Sequence, residues 1–144
     1  MKLWVKILLA LFIIGVIAAF YVYKYVYNKP HPDFEKMTPA YSIPAADLYN
    51  TFKANKTASE KKYNGQVIEI RGTLSKVEAK DSLVIVVFVF NQGMFGDEGI
   101  RCSMLKKYNE EAKKLSPGTS LKIKGYCTGY NETDVILEQC CLIK

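Results

Sequence analysis

The chain has 144 residues, 49% of them hydrophobic, and a formal net charge of +6. Four lysines (Lys2, Lys6, Lys24 and Lys29) lie in the first 29 residues, which hold no acid; the rest of the chain carries 16 basic and 14 acidic groups. That balance lacks the strong basic bias expected of a nucleic-acid binder, and about 100 residues fill one small domain rather than two.

The first element is an apolar run from Ile7 to Tyr23, 17 residues without a charge and with a lysine at each end. At about 1.5 Å per residue it spans roughly 25 Å, near the lower limit for a bilayer core. Trp4 on one side and Tyr21, Tyr23, Tyr25 and Tyr27 on the other suit the interfacial aromatic belts, and Lys6 and Lys24 can snorkel to the headgroups. Residues 1–27 therefore predict a single-pass membrane helix that contacts the bilayer through residues 3–27. A cleaved signal peptide is the rival reading, with Val16-Ile17-Ala18 as a weak cleavage site; the apolar run continuing past Ala18 favours an uncleaved anchor. Flanking lysines balance, so the positive-inside rule does not decide orientation. A short basic tail before a hydrophobic helix has the form of a bacterial signal anchor, which places the C-terminal domain outside the cytoplasm, on the periplasmic side of the cell membrane.

Residues 28–43 hold Pro30, Pro32 and Pro39 without periodicity and read as an extended linker. The chain's one histidine, His31, sits between two of those prolines and is expected to be solvated. Residues 44–144 then form the domain. Pro44 opens a short helix over 45–55 with Leu48 and Phe52 on its apolar stripe, and a second helical turn follows around Ala58 to Tyr63. From Gln66 to Lys76 the period becomes two, with Ile68, Ile70, Gly72 and Leu74 on one face. Leu83 to Phe90 is a β-branched and aromatic central strand, and Asn91 to Gly99 reads as a loop. Ile100 to Met104 predicts a third strand, Lys106 to Leu115 a short helix, Leu121 to Thr128 a fourth strand and Val135 to Ile143 a fifth.

The predicted fold class is mainly β with short helices. Five strands left flat would expose long edges over too little core; rolling them into a barrel removes most of that edge. A helix between strands three and four is the arrangement of an OB-fold, so the expectation is a five-stranded OB-fold barrel preceded by the N-terminal transmembrane helix. Cys102, Cys127, Cys140 and Cys141 all lie in the last third of the chain, without a C-x-x-C pair or a nearby histidine. They do not predict a metal site, and no cofactor is expected. In an oxidising compartment they permit disulfides, in any of three full pairings.

The segments ADLYNTFKANKTASEKKYNGQVIEIRGTLSKV, GIRCSM, SPGTSLKIKGYCTGY and VILEQCCLIK, spanning Ala46 to Ile143, resemble the tRNA-anti-like OB-fold family of small bacterial domains tethered to a membrane or lipid. Gly65, Gly72, Cys102, Gly125, Cys127 and Cys140 look like its recurrent positions, whereas Cys141 has no counterpart in that pattern. The resemblance implies an OB barrel, with strand five between strands three and four. That arrangement lets Cys102, Cys127 and Cys140 approach one another, while adjacent Cys140 and Cys141 point to opposite faces.

The sequence offers no nucleophile–base pair, P-loop or dinucleotide fingerprint, so a non-catalytic binding or interaction module is expected, with an envelope protein or peptide as partner. The candidate face holds Arg101, Phe95, Tyr126 and Tyr130, beside strands two and three, where OB barrels bind. The alternative is a single-stranded nucleic-acid-binding OB domain. It would use Phe95, Tyr126 and Tyr130 as a stacking platform beside Arg71, Arg101, Lys122 and Lys124.

Overall fold

The structure, a computed structural model, describes residues 1–28 and 32–144; the expectation for His31 lies outside the described residues. Two compact units divide the chain, residues 1–32 and 33–144. In the first, α1 (Leu3–Val22) continues through a wider π-helical turn at Tyr23–Tyr27. The combined helix of 25 residues is longer than the 17-residue apolar run, because the tyrosine-rich flank joins it. It is long and apolar enough to cross a bilayer, as an anchor or a signal sequence is, and none of its residues is buried. The rings of Tyr21 and Tyr25 lie 4.7 Å apart, as residues four apart on one helix face do.

The second unit begins with a short strand, β1 (Tyr41–Pro44), followed by α2 (Ala45–Ala54) and α3 (Lys56–Tyr63). Asn55 ends α2 and caps α3: its side chain accepts the backbone N–H of Ala58 at 3.0 Å. Six further strands complete the domain: β2 (Val67–Thr73), β3 (Lys76–Lys80), β4 (Leu83–Gly93), β5 (Gly96–Met104), β6 (Ser120–Tyr130) and β7 (Asp134–Ile143). A short 3-10 turn at Lys106–Tyr108 and α4 (Asn109–Lys113) lie between β5 and β6. The sheet order is β1-β2-β6-β7-β5-β4-β3, with β1–β2 and β5–β7 parallel and the other pairs antiparallel. The last strand lies between β5 and β6, as the OB-fold resemblance implies.

The expectation of a five-stranded closed barrel needs correction: the sheet has seven strands and its ladder order does not close. Two local events account for the count. The end of the predicted linker pairs with β2 as β1, a strand that its prolines hid. The predicted first strand changes neighbours at Leu74–Ser75: the Leu74 N–H bonds the Thr119 carbonyl beside β6, whereas the Ser75 N–H bonds Val87 of β4. It is therefore divided into β2 and β3 by two residues. Gly72 stands just before the break, where an added Cβ would come within 3.0 Å of the Ala45 side chain and 3.2 Å of the Phe88 ring.

The loop expected over 91–99 is mostly strand. Asn91, Gln92 and Gly93 pair with Glu98, Asp97 and Gly96, leaving Met94–Phe95 as a two-residue turn. The core lies between the inner face of the sheet and α2, with Leu48, Phe52, Ile68, Ile70, Phe88 and Leu137 among its fully buried side chains. Each such residue contributes about 1.5–3 kcal/mol by leaving water. Alternation within the strands decides which residues face that core and which form the outer surface.

Candidate functional site

The outer face of β3, β4 and β5 carries a row set by register. Lys76 stands opposite Val87, and Val87 opposite Arg101; one step along, Glu78 stands opposite Ile85, and Ile85 opposite Ser103. Val87 faces outward yet is only 1% exposed, because the long side chains beside it cover it. Those charges neutralise one another. Arg101 forms an ion pair with Glu78, Lys76 reaches Glu78 at 3.3 Å and Lys76 reaches Asp97 at 3.0 Å. Burial raises the Glu78 pKa, but hydrogen bonds and charge from Arg101 and Lys76 outweigh it and hold the carboxyl below its ordinary value. Arg101 is thus placed on the predicted face, with its charge already paired.

The β4–β5 hairpin carries Met94 and Phe95 at its tip, 93% and 92% exposed. Gly96, at φ 115°, makes the tight turn that a Cβ-bearing residue would strain. Just below the tip, Glu98 accepts hydrogen bonds from Asn91 Nδ2 at 2.8 Å, Tyr49 Oη at 2.9 Å and Lys53 Nζ at 3.2 Å. These donors, Asn91 foremost, hold the Glu98 carboxyl below its usual range; burial and then the Glu98 bond raise Tyr49. Tyr49 also stacks on Phe90, with ring centroids 5.7 Å apart. Tyr130 packs against Phe52 at 5.8 Å and donates to the Glu132 carbonyl, so it closes the end of the core while staying partly exposed.

Tyr126 does not join that group. Its ring lies against Phe34 at 4.9 Å, beneath a strap formed by residues 33–40. Lys124 donates to the carbonyls of Glu35 and Met37, at 2.5 and 2.9 Å. The Glu35 carboxylate meets Lys107 and the Tyr108 hydroxyl, which hold it below the ordinary carboxylate value and push Tyr108 up to about 12. Nothing in the linker's composition signals this docking; it depends on which outward side chains of β6 and the 3-10 turn come together in space.

A separate groove of about 330 Å³ opens where β2, β6 and β7 end beside α4. Arg71 and Lys122 stand directly opposite each other there, with Leu115 and Leu142 among the apolar lining residues. Neither cation has an ion-pair partner among the described residues. Alternating cations in the first and fourth predicted strands are the sequence signal for it.

Cys102, Cys127 and Cys140 line the core, and Cys141 lies on the outer side, only 3% exposed. Among the described residues, no group of three or more His, Cys, Asp or Glu side chains is arranged to hold a metal.

The fold recurs in solved structures. A candidate nucleic acid-binding lipoprotein from Klebsiella pneumoniae subsp. pneumoniae is 17% identical, with a TM-score of 0.57 over 81% of this chain and 100% of that one. A candidate aspartyl-tRNA synthetase from Leishmania major Friedlin is 11% identical, with a TM-score of 0.48 over 81% of this chain and 22% of its own. The aspartyl-tRNA synthetase of Entamoeba histolytica is 13% identical, with a TM-score of 0.46 over 81% and 23%. The chain spans less than a quarter of either synthetase. No curated protein matches the sequence. The tRNA_anti-like family model matches residues 1–142, a longer stretch than Ala46 to Ile143, and it takes in the N-terminal helix. The chain belongs to the tRNA_anti-like family.

Proposed function

We propose that this protein is a membrane-anchored, non-catalytic OB-type binding domain. Its α1 helix stays in the bilayer uncleaved, and residues 44–144 face the extracytoplasmic side and bind an envelope protein or peptide. The observation that carries the reading is the hairpin tip, where two large apolar side chains are almost wholly exposed next to a face whose charges are mutually paired. An apolar projection beside neutralised charge suits a protein surface better than a phosphate backbone, which demands unpaired cations. Phe95 and Met94 serve as anchors, with Arg101 and Tyr130 on the flanks.

A photo-crosslinking side chain at position 95 of the full-length protein in native membranes tests this reading. The expected product is one discrete protein adduct that is lost in an Arg101→Ala, Tyr130→Ala double variant. Adducts to lipid alone, or binding unchanged by the double variant, would refute it.

A second reading, single-stranded nucleic acid, is favoured by one feature: the directly opposed Arg71 and Lys122, a like-charge pair that destabilises the bare sheet. The Klebsiella lipoprotein supports that reading only by fold. Oligonucleotide binding whose affinity falls steeply with salt, and which is lost in Arg71→Ala, would establish it in place of the protein partner.

A further inference from the structure

We propose that the groove between α4 and the ends of β2, β6 and β7 binds the C-terminal end of a polypeptide. Arg71 and Lys122 hold its carboxylate, and Leu115, Leu121 and Leu142 take an apolar last side chain. The site begins with register. Ile70 and Ile123 pair with each other and are fully buried, so alternation turns the next pair, Arg71 and Lys122, to the outer face, where both are exposed. Beyond α4 the chain turns at Pro117 and Gly118, and the Gly118 N–H donates to the Leu74 carbonyl at 2.8 Å. That bond sets the end of the helix beside the start of β6, so Leu115 and Lys122 line the same groove.

The two cations stand directly opposite each other, and among the described residues neither forms an ion pair. Other cations of the sheet have acids beside them. Arg101 and Lys76 share Glu78, and two residues along from this pair Glu69 stands opposite Lys124. Like charges directly opposite destabilise a sheet. A single anion seated between Arg71 and Lys122 relieves that repulsion and accepts hydrogen bonds from both. The planar fork of Arg71 matches the two oxygens of a carboxylate, and Lys122 adds a second charge at the same point.

The rest of the groove selects the occupant. Glu111 is the one acidic side chain that lines it, and its charge favours a monoanion over a dianionic phosphate. Among the described residues no aromatic side chain lines it, so a nucleobase has nothing there to stack on. Its volume of about 330 Å³ lies at the low end of small-ligand sites, which suits one side chain and a charged head rather than a polymer strand or a two-chain lipid. Leu115, Leu121 and Leu142 are only half-buried and offer that side chain an apolar wall. An apolar residue that ends in a free carboxylate meets both halves of the groove, and capture of a chain terminus is a recurring mode of peptide recognition. The hairpin tip takes no part in this site, which also stands whichever side of the membrane the domain faces.

Calorimetric titration of the full-length protein, in an uncharged detergent, with the peptide acetyl-Gly-Ser-Ala-Leu bearing a free C-terminal carboxylate tests the site. The expected result is saturable binding of one peptide per chain. Amidating the peptide, replacing its leucine with glycine, or substituting Arg71→Gln or Lys122→Gln should each weaken binding by about tenfold or more. Both variants should keep the thermal midpoint at or above that of the unsubstituted protein, because each removes one of two opposed like charges. Replacing Met94 and Phe95 with Ser should leave the titration unchanged, which separates a failure here from a failure at the hairpin tip. Absence of binding, equal binding of the amidated peptide, or binding unchanged in the Arg71→Gln, Lys122→Gln double variant would overturn the proposal. Displacement of the peptide by an equimolar short oligothymidine would overturn it in favour of nucleic acid.

Discussion

At the scale of single residues, close approach decides more than composition does. Gly99 is an example: a Cβ there would sit 1.8 Å from the Phe88 carbonyl oxygen, and backbone cannot move aside as a side chain can. Gly99→Ala is expected to destabilise the domain by about 3 kcal/mol, measured by urea denaturation of the 33–144 fragment. Arg101 gives the opposite case. Its ion pair with Glu78 is partly open to water, so Arg101→Ala should cost less than about 1 kcal/mol in the same assay. Arg101 and its neighbours on the outer face were legible from alternation; the carboxylate that occupies Arg101 was not, because Glu78 reaches it across β4.

Among the elements, the strap over β6 responds to pH. Glu35 is held below its ordinary value of 4.5 by Lys107 and Tyr108, so its charged form favours the docked strap. A carboxyl with a lowered folded value contributes fully above the unfolded value, and the contribution is lost as pH falls through the folded one. Docking is therefore expected to persist at neutral pH and weaken below pH 4.5. Cys141 lies beside these groups, so its alkylation rate reports the change, and Glu35→Gln should accelerate labelling already at pH 7. The β4–β5 hairpin behaves differently. Its tip touches little, and replacing both Met94 and Phe95 with Ser should change stability by no more than about 0.5 kcal/mol. The sequence read this segment as a loop because its three glycines outweighed the pairing capacity of Asn91, Gln92, Asp97 and Glu98.

For the whole molecule, the division at residues 32 and 33 predicts two separable behaviours. Residues 33–144 carry the entire described core and are expected to fold alone, with a far-UV spectrum dominated by β structure and one cooperative thermal transition. The full-length chain should instead partition into the detergent phase, since its N-terminal helix is apolar and exposed along its length.

The sequence by itself determined the apolar helix, the positions of five strand segments and the helices between them. These follow from hydrophobic run length and from periods of 3.6 and 2, which are local properties of the chain. Only the tertiary structure decided the partner change at Leu74–Ser75, the added edge strand, the strap on Tyr126 and the bulge that turns Cys140 into the core. Each of these depends on contacts between residues far apart in the chain, and no local pattern encodes which distant groups will meet.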